Sequence, residues 1–338
     1  MTRRLAEVAK YVGVSESTVS RVLNDKPGIS DATRSAVLTA LDVLGYERPT
    51  KLRGERARLV GVMLPEMENP IYPAFTEVVA GALAKRGFTP VLCTRTVDAV
   101  SETQYIDILL EQTVSGVIFV GGLYQQTDAS HEPYHRLRER SLPAVLVNAA
   151  IEGLPFPRVS SDDAHAVDHA YGHLAALGHD RIGLLLGPPG HVPSGRKLAA
   201  YHEARRRHGH TSPELVSHTV FAMEDGHAGA TRLVQQGATA LICASDALAI
   251  GAIRAAKRLD LVVPSDLSVI GYDDAAVMAY TDPPLTTVRQ PVEAMGQAAV
   301  ALLISQIEGH AVPTDELLFE PELVVRASTG AARAPQPA

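Results

Sequence analysis

Side chains with hydrogen-bonding reach stand at the ends of short apolar runs, where a parallel sheet presents groups to a ligand. LVGVML ends at Pro65-Glu66 and leads on to Tyr72, GVIFVGG ends at Val120-Gly121-Gly122, and PAVLVN ends at Asn148. TALICAS ends at Ser245 with Asp246 beyond it, and SVIGYDD ends at Tyr272-Asp273-Asp274. Amide, carboxylate, hydroxyl and phenol groups converging on one crevice suit a ligand dense in hydroxyls, because each buried polar group left without its partner costs about 1–3 kcal/mol. A sugar meets that requirement most simply; a nucleobase or an amino acid is also compatible with the pattern.

Other groupings carry weaker chemistry. His131-Glu132-Pro133-Tyr134-His135 matches H-E-x-x-H, the zinc-protease pattern, which requires both histidines on one uninterrupted helical turn. Pro133 lies inside that turn and breaks it unless it opens the helix, so zinc catalysis is not the expected role. His165, His169 and His173 repeat every four residues on one helical face and have metal-ligand spacing, but a structural or surface stripe is the better reading. Arg205-Arg206-Arg207 reads as a solvated helix end, and Gly187-Pro188-Pro189-Gly190 lacks the lysine and the spacing of a phosphate loop. No Ser/His/Asp set is defined by spacing, so no catalytic residue, cofactor or resident metal is expected.

The elements that position these groups fall into two textures. From Leu59 onward, short apolar runs alternate with amphipathic stretches: LVGVML with AFTEVVAGALAKRG, TPVLC with SETQYIDILLEQ, RIGLLLG with the stretch around Leu198–Arg207, TALICAS with DALAIGAIRAAKRL. Such alternation predicts parallel sheets with helices on both faces, and the strand count exceeds one doubly wound domain, so two lobes are expected. Residues 5–46 read differently. Leu5, Ala6, Val8 and Ala9 share a helical face, Gly13-Val14 makes a turn, and Ser15 caps a second helix that buries Val19, Val22 and Leu23. Two short helices about a Gly-containing turn predict a helix-turn-helix, whose second helix enters the DNA major groove. Between the two textures, ERPTKLRGERAR is rich in charge, contains Pro49 and Gly54, and reads as a linker.

Composition agrees. The 338 residues are 46% hydrophobic, enough for a large core, and no apolar run approaches the ~20 residues of a spanning helix. The N-terminus opens on helix-forming sequence without a secretion signal, and Cys93 and Cys243, the two cysteines, read as buried free thiols; both point to the cytoplasm. The net charge of −7 is uneven: residues 1–58 carry 11 Lys/Arg against 7 Asp/Glu, and the remainder 20 against 31. A basic head on an acidic body fits DNA contact at one end only.

The head string GVSESTVSRVLN with LGYERP, followed in order by ENPIYPAF, LGHDRIGLLLGP, SDALAIGAIRA, DLSVIGYDD and PPLTTVRQP, resembles the lac repressor family (LacI/GalR) of bacterial transcription regulators. The resemblance runs from Thr2 to about Ala327. It implies an α/β protein: an N-terminal all-α helix-turn-helix head and a two-lobed, periplasmic-binding-protein-like core of doubly wound parallel sheets. The implied divisions are a head at 1–46, a linker or hinge at 47–58, a core at 59–330 and a tail at 331–338. Within the core, one lobe takes about 59–159 and 290–320, the other about 160–289 and 321–330. The tail is Ala/Pro-rich without leucine heptads, so a homodimer is expected rather than a tetramer.

By position, the resemblance assigns base reading to Glu16, Ser17 and Arg21, and phosphate contacts to Ser15, Thr18, Ser20 and Asn24. Arg21 has the fork to grip guanine O6/N7, and Glu16 can accept from cytosine N4. For the effector it implies Ile71, Tyr72, Asn148, Arg196, Lys197, Ser245, Asp246, Asp273 and Gln290. Two departures stand out. The linker is short and lacks the family's Ala-rich hinge helix ending in leucine; Leu52 is the one candidate for a minor-groove wedge, and Gly54 weakens a helix there. Val120 replaces a polar residue of some sugar-binding members. The GYERP linker, VLCTRT and PEMENP resemble an actinobacterial subgroup regulating starch and maltose use, which implies a gluco-oligosaccharide effector. The expected function is thus a cytoplasmic repressor of carbohydrate genes on a pseudo-palindromic double-stranded operator, relieved by a sugar, with no membrane partner. The alternatives are a co-repressor-type regulator responding to another metabolite and a non-regulatory sugar-binding protein.

Overall fold

The computed structural model describes residues 2–24, 26, 28–44, 58–95, 100–112 and 114–333. The chain divides into two compact units, residues 1–59 with 113–115 and residues 60–112 with 116–338. The first contains α1 (Thr2–Val12), α2 (Glu16–Leu23) and α3 (Asp31–Val43). Val8 and Ala9 of α1, Val19 and Val22 of α2, and Val37 and Ala40 of α3 form its core, with Leu5, Val12, Val14 and Leu23 packed around them. Ala6, expected on that buried face, is exposed. The stripe runs Leu5–Val8/Ala9–Val12, and at 100° per residue Ala6 falls beside it rather than on it. Gly13 makes the turn at φ +77°, a conformation that favours glycine, and Ser15 Oγ accepts from Thr18 N at 3.1 Å to start α2.

The second unit begins with β1 (Leu59–Leu64, from its second residue), α4 (Ile71–Lys85), β2 (Thr89–Thr94), α5 (Glu102–Glu111), β3 (Gly116–Phe119), α6 (Glu132–Glu139), β4 (Ala144–Val147) and β5 (Arg158–Ser161). It continues with α7 (Asp163–Ala176), β6 (Ile182–Leu186), α8 (Val192–Arg207), β7 (Val216–His218), α9 (Met223–Gln235), β8 (Ala240–Cys243), α10 (Asp246–Arg258), β9 (Ser268–Asp273) and β10 (Thr286–Arg289). Last come α11 (Val292–Ile307), β11 (Glu316–Phe319) and β12 (Glu322–Val324).

Two six-stranded sheets result, in the orders β11-β5-β4-β3-β1-β2 and β12-β10-β9-β8-β6-β7. Pairing in the second is parallel from β10 through β7, and only β12 runs antiparallel, against β10. The near-continuous Val/Ile/Leu runs are what strands covered on both faces require. In the first lobe, Phe75, Val79 and Leu83 of α4, spaced by four, join Met295, Ala299 and Leu303 of α11 in one core. Gly296 permits this close approach, because a Cβ there would lie 2.6 Å from Val78 Cγ1. The second lobe builds its own core around Tyr171, Tyr201, Leu184, Leu241 and Ile270.

Strand order reverses between β1 and β3 in one sheet and between β6 and β8 in the other, and ligands bind at such switch points, beyond the carboxyl ends of the strands. The chain passes between sheets after β5, after β10 and after β11, so α11 and β11 complete the first lobe and β12 the second. Among the described residues no helix is long and apolar enough to cross a membrane.

Candidate functional site

On α2, Ser15, Glu16, Ser17, Arg21 and Asn24 are exposed and Thr18 and Ser20 half-buried, while Val19 and Val22 point into the core. The 3.6-residue period thus places Glu16, Ser17, Ser20, Arg21 and Asn24 on one outward face. Ser15 Oγ lies 2.7 Å from Ser17 Oγ and 2.9 Å from Thr18 Oγ1, and Asn24 Nδ2 donates to Ser20 O at 2.8 Å. The first turn and the end of the helix are therefore both fixed by side chains of the outward face. Leu52 and the linker residues 47–57 lie outside the described residues.

In the second unit, a cleft of about 760 Å³ opens between the two lobes. Glu66, Asn69, Ile71 and Tyr72 reach it from the end of β1 and the start of α4, Arg95 from the end of β2, and Asn148 from the end of β4. The second lobe supplies Asp163, His191, Ser194, Lys197, Phe221, Ser245, Tyr272 and Asp273, and Gln290 stands on the crossover after β10. Of the expected effector residues, Ile71, Tyr72, Asn148, Lys197, Ser245, Asp273 and Gln290 meet in this cleft, and Val120 lies in its wall.

Asp273 is the polar centre. Its carboxylate accepts from Gln290 Nε2 at 2.7 Å and from Asn69 Nδ2 of the opposite lobe at 3.2 Å. Asn69 also accepts from Ile71 N at 3.1 Å, so one side chain holds the approach to α4 and bridges the lobes. Burial pushes the Asp273 carboxyl above its ordinary range, against the pull of Gln290, Asn69 and Lys197. Gln290 Oε1 is buried and accepts no hydrogen bond among the described residues. Lys197 pairs with Asp163 and sits 4.0 Å over the Tyr272 ring, whose hydroxyl is 3.1 Å from Ser161 Oγ. His191 stacks edge-on to Phe221 at 5.3 Å, and burial, reinforced by Lys197, lowers its pKa to about 3, so the imidazole is neutral. The lobes also touch where Thr127 N donates to Gly190 O at 3.0 Å.

Two expected residues do not line the cleft. Arg196 turns away and forms a bidentate pair with Glu316 of β11 at 2.8 and 2.9 Å, where Ser160 Oγ also donates to Glu316 Oε1 at 2.5 Å. Neighbours on a helix point about 100° apart, so only one of Arg196 and Lys197 can face the cleft, and it is Lys197. Asp246 is 1% exposed; it accepts from Thr287 Oγ1 at 2.6 Å and Ala275 N at 2.9 Å, tying β10 to the segment that follows β9. Ser245 caps α10 instead, accepting from Leu248 N at 3.2 Å. Sequence reasoning missed Asn69, Asp163, His191 and Phe221. Asn69 was within reach, as an Asx residue two positions before a helix start.

Pro133 opens α6, leaving His131 outside the helix with Nε2 within 3.1 Å of the Leu123 and 2.9 Å of the Gln126 carbonyl oxygens. The histidine stripe of α7 divides: His165 pairs with Glu320 at 3.0 Å, whereas His173 reaches Thr329 Oγ1 at 3.0 Å.

Comparison with known proteins places both units. Residues 4–49 match the family described as bacterial regulatory proteins, lacI family, and residues 171–329 match a periplasmic binding protein-like domain. The chain is 49% identical over 337 residues, 98% of each chain, to the HTH-type transcriptional regulator MalR of Streptomyces coelicolor. Among solved structures, it is similar to the transcriptional regulator CelR–cellobiose complex, with 32% identity, a TM-score of 0.73, and coverage of 96% of this chain and 99% of that one. The lac repressor dimer bound to operator and the anti-inducer ONPF gives 28% identity and a TM-score of 0.72, covering 96% and 98%. An outward-facing recognition helix, a two-lobed cleft and full-length similarity to these regulators have one meaning: the chain belongs to the lacI family of bacterial regulatory proteins.

Proposed function

We propose that the chain is a cytoplasmic, homodimeric repressor of carbohydrate genes, without enzymatic activity, whose operator affinity falls when an uncharged oligosaccharide of the maltose type enters the cleft. Buried Gln290 Oε1, unpartnered among the described residues beside the Asp273 carboxylate, carries the ligand half of this reading, because a hydroxyl-rich ligand offers the missing donor. The cleft's aromatic residues, Tyr72, Phe221 and Tyr272, suit the apolar faces of sugar rings, and about 760 Å³ accommodates more than one ring. The similarity to MalR and to the CelR–cellobiose complex supports the ligand class.

On the DNA side, Arg21, Glu16 and Ser17 read bases, while Ser15, Thr18, Ser20 and Asn24 hold phosphates. Paired heads engage half-sites one helical turn, ~10 bp, or a multiple apart. Ligand-dependent lobe rearrangement then changes dimer geometry and removes simultaneous engagement. The test combines footprinting on duplexes from the gene's own neighbourhood with a thermal-shift screen of maltose, maltotriose and cellobiose. Protection that is lost on adding the stabilising sugar is expected. Absence of any footprint, with and without sugars, would overturn the reading.

A further inference from the structure

One wall of the cleft is held by a buried carboxylate that does not itself line the cleft. Glu102, 5% exposed, occupies the first turn of α5 behind the Ser101–Gln104 capping box, where the helix N-terminus favours negative charge. Its Oε2 accepts from Leu123 N at 3.0 Å, and its Oε1 accepts from the Tyr134 hydroxyl. The Tyr134 oxygen in turn accepts from Tyr124 N at 3.0 Å. Two successive backbone amides, Leu123 and Tyr124, are thereby fixed by one carboxylate, directly and through one phenol. Beneath them Phe119, Tyr124 and Tyr134 pack edge to face, with centroids 5.3–6.2 Å apart. Gly122, at φ +157°, lets the carboxylate press against the backbone, since a Cβ there would sit 2.6 Å from Glu102 Oε2.

The segment so held does ligand-facing work. Gly122, Leu123, Gln125 and Gln126 line the cleft, Gln126 bridges to His191 of the other lobe, and Thr127 N donates to Gly190 O. Packing alone does not explain a carboxylate here, because an apolar side chain of similar size avoids the desolvation cost of a buried acid. What an apolar residue cannot do is accept from Leu123 N and from the Tyr134 hydroxyl at once.

We infer that Glu102 is a positioning residue for ligand recognition: through Leu123 N and the Tyr134–Tyr124 relay it sets the wall formed by residues 122–127, and hence both the fit of the ligand and the contact between lobes. The ligand clause rests on the sugar-binding reading above; the wall clause does not.

The test compares full-length wild type, Glu102→Gln and Glu102→Ala. Amide hydrogen exchange across residues 119–128 is measured without ligand, maltotriose affinity by titration calorimetry, and melting temperature in parallel. Glu102→Ala is expected to speed exchange at Leu123 and Tyr124, and to weaken maltotriose, by roughly tenfold or more each. Glu102→Gln, which keeps an acceptor oxygen for Leu123 N, falls between Glu102→Ala and wild type. A melting change with exchange at 122–127 and maltotriose affinity both unaltered overturns the inference. If Glu102→Ala does not fold, Tyr134→Phe removes only the relay hydroxyl, and retained protection at Tyr124 overturns it equally. Should wild type fail to bind maltotriose, the sugar reading is what fails, and the ligand-free exchange comparison still decides the role of Glu102.

Discussion

Replacing Asp273 by alanine is the sharpest perturbation of the cleft. Each carboxylate oxygen accepts one protein hydrogen bond, from Gln290 at 2.7 Å and from Asn69 at 3.2 Å, which leaves further acceptor capacity for a ligand. Two ligand hydroxyls bonded there contribute about 1.5–3 kcal/mol each, so their loss weakens sugar affinity by roughly 10²-fold or more. Asp273→Ala also strips Gln290 Nε2, a donor on a residue 7% exposed, of its acceptor, at a stability cost of about 1–3 kcal/mol. Relief of a carboxylate that burial already disfavours offsets part of that cost. The expected phenotype is a folded repressor, slightly less stable, that holds its operator and ignores the sugar. Isothermal titration of the variant with the stabilising sugar, alongside a gel-shift assay, checks both halves. An unchanged titration would refute the placement of Asp273 at the ligand.

Ser15→Ala removes the α2 cap and is expected to cost about 1 kcal/mol of head stability, read by amide exchange within residues 16–23. Arg21→Ala is expected to weaken operator binding by roughly 1–3 kcal/mol and to relax preference at one symmetric base pair; an unaltered operator profile would reject the contact. Asp246 titrates above its ordinary value of 3.8 because of burial, reinforced by Asp273. With the folded carboxyl raised above the unfolded one, its contribution to stability is complete below about pH 4 and declines as pH rises through the folded pKa, by about 1.4 kcal/mol per pH unit. Asp246→Asn, which keeps an acceptor oxygen for Ala275 N and replaces the acceptor facing Thr287 by an amide donor that the Thr287 hydroxyl can accept, removes that share of the slope; melts from acidic to neutral pH would expose an unchanged slope.

Periodic features were legible in the sequence and convergent ones were not. Val19 and Val22 follow a helical period, and the strand ends at Asn148, Ser245 and Asp273 follow apolar runs, so local pattern alone brought them forward. Asp163, His191 and Phe221 stand in a first helical turn, a loop and a helix approach, where no repeat marks an inward direction, and only the folding of the second lobe's sheet brings them to one side of the cleft. Arg196 and Lys197 show the limit of one-dimensional reasoning: adjacent cations have equal chemistry, and the helix phase alone sends one to the cleft and the other to Glu316. Asp246 is a case of competing satisfaction, because Thr287 within β10 and Ala275 beyond the end of β9 claim its oxygens before any ligand can. Three-residue strands such as β7 and β12 escape notice because pairing, not composition, makes them strands.

The electrostatics of the cleft narrow its ligand more than its residue inventory does. Lys197 is answered by Asp163 and Arg196 by Glu316, while His191 is held neutral by burial. Asp273 and Glu66 are pushed toward their protonated forms by desolvation, Glu66 with the added repulsion of Glu68. These charges are spent on one another or suppressed, whereas the Arg95 guanidinium stands in the cleft wall of the first lobe, at the end of β2. What the second lobe leaves for a ligand is a set of oriented dipoles and lone pairs beside aromatic faces. On the second-lobe side a phosphorylated or carboxylated ligand would meet Asp273 and a Lys197 already paired with Asp163, so its desolvation there would be poorly compensated. A neutral polyol makes the same hydrogen bonds without that penalty, which is the physical ground for preferring an uncharged oligosaccharide over an anionic metabolite.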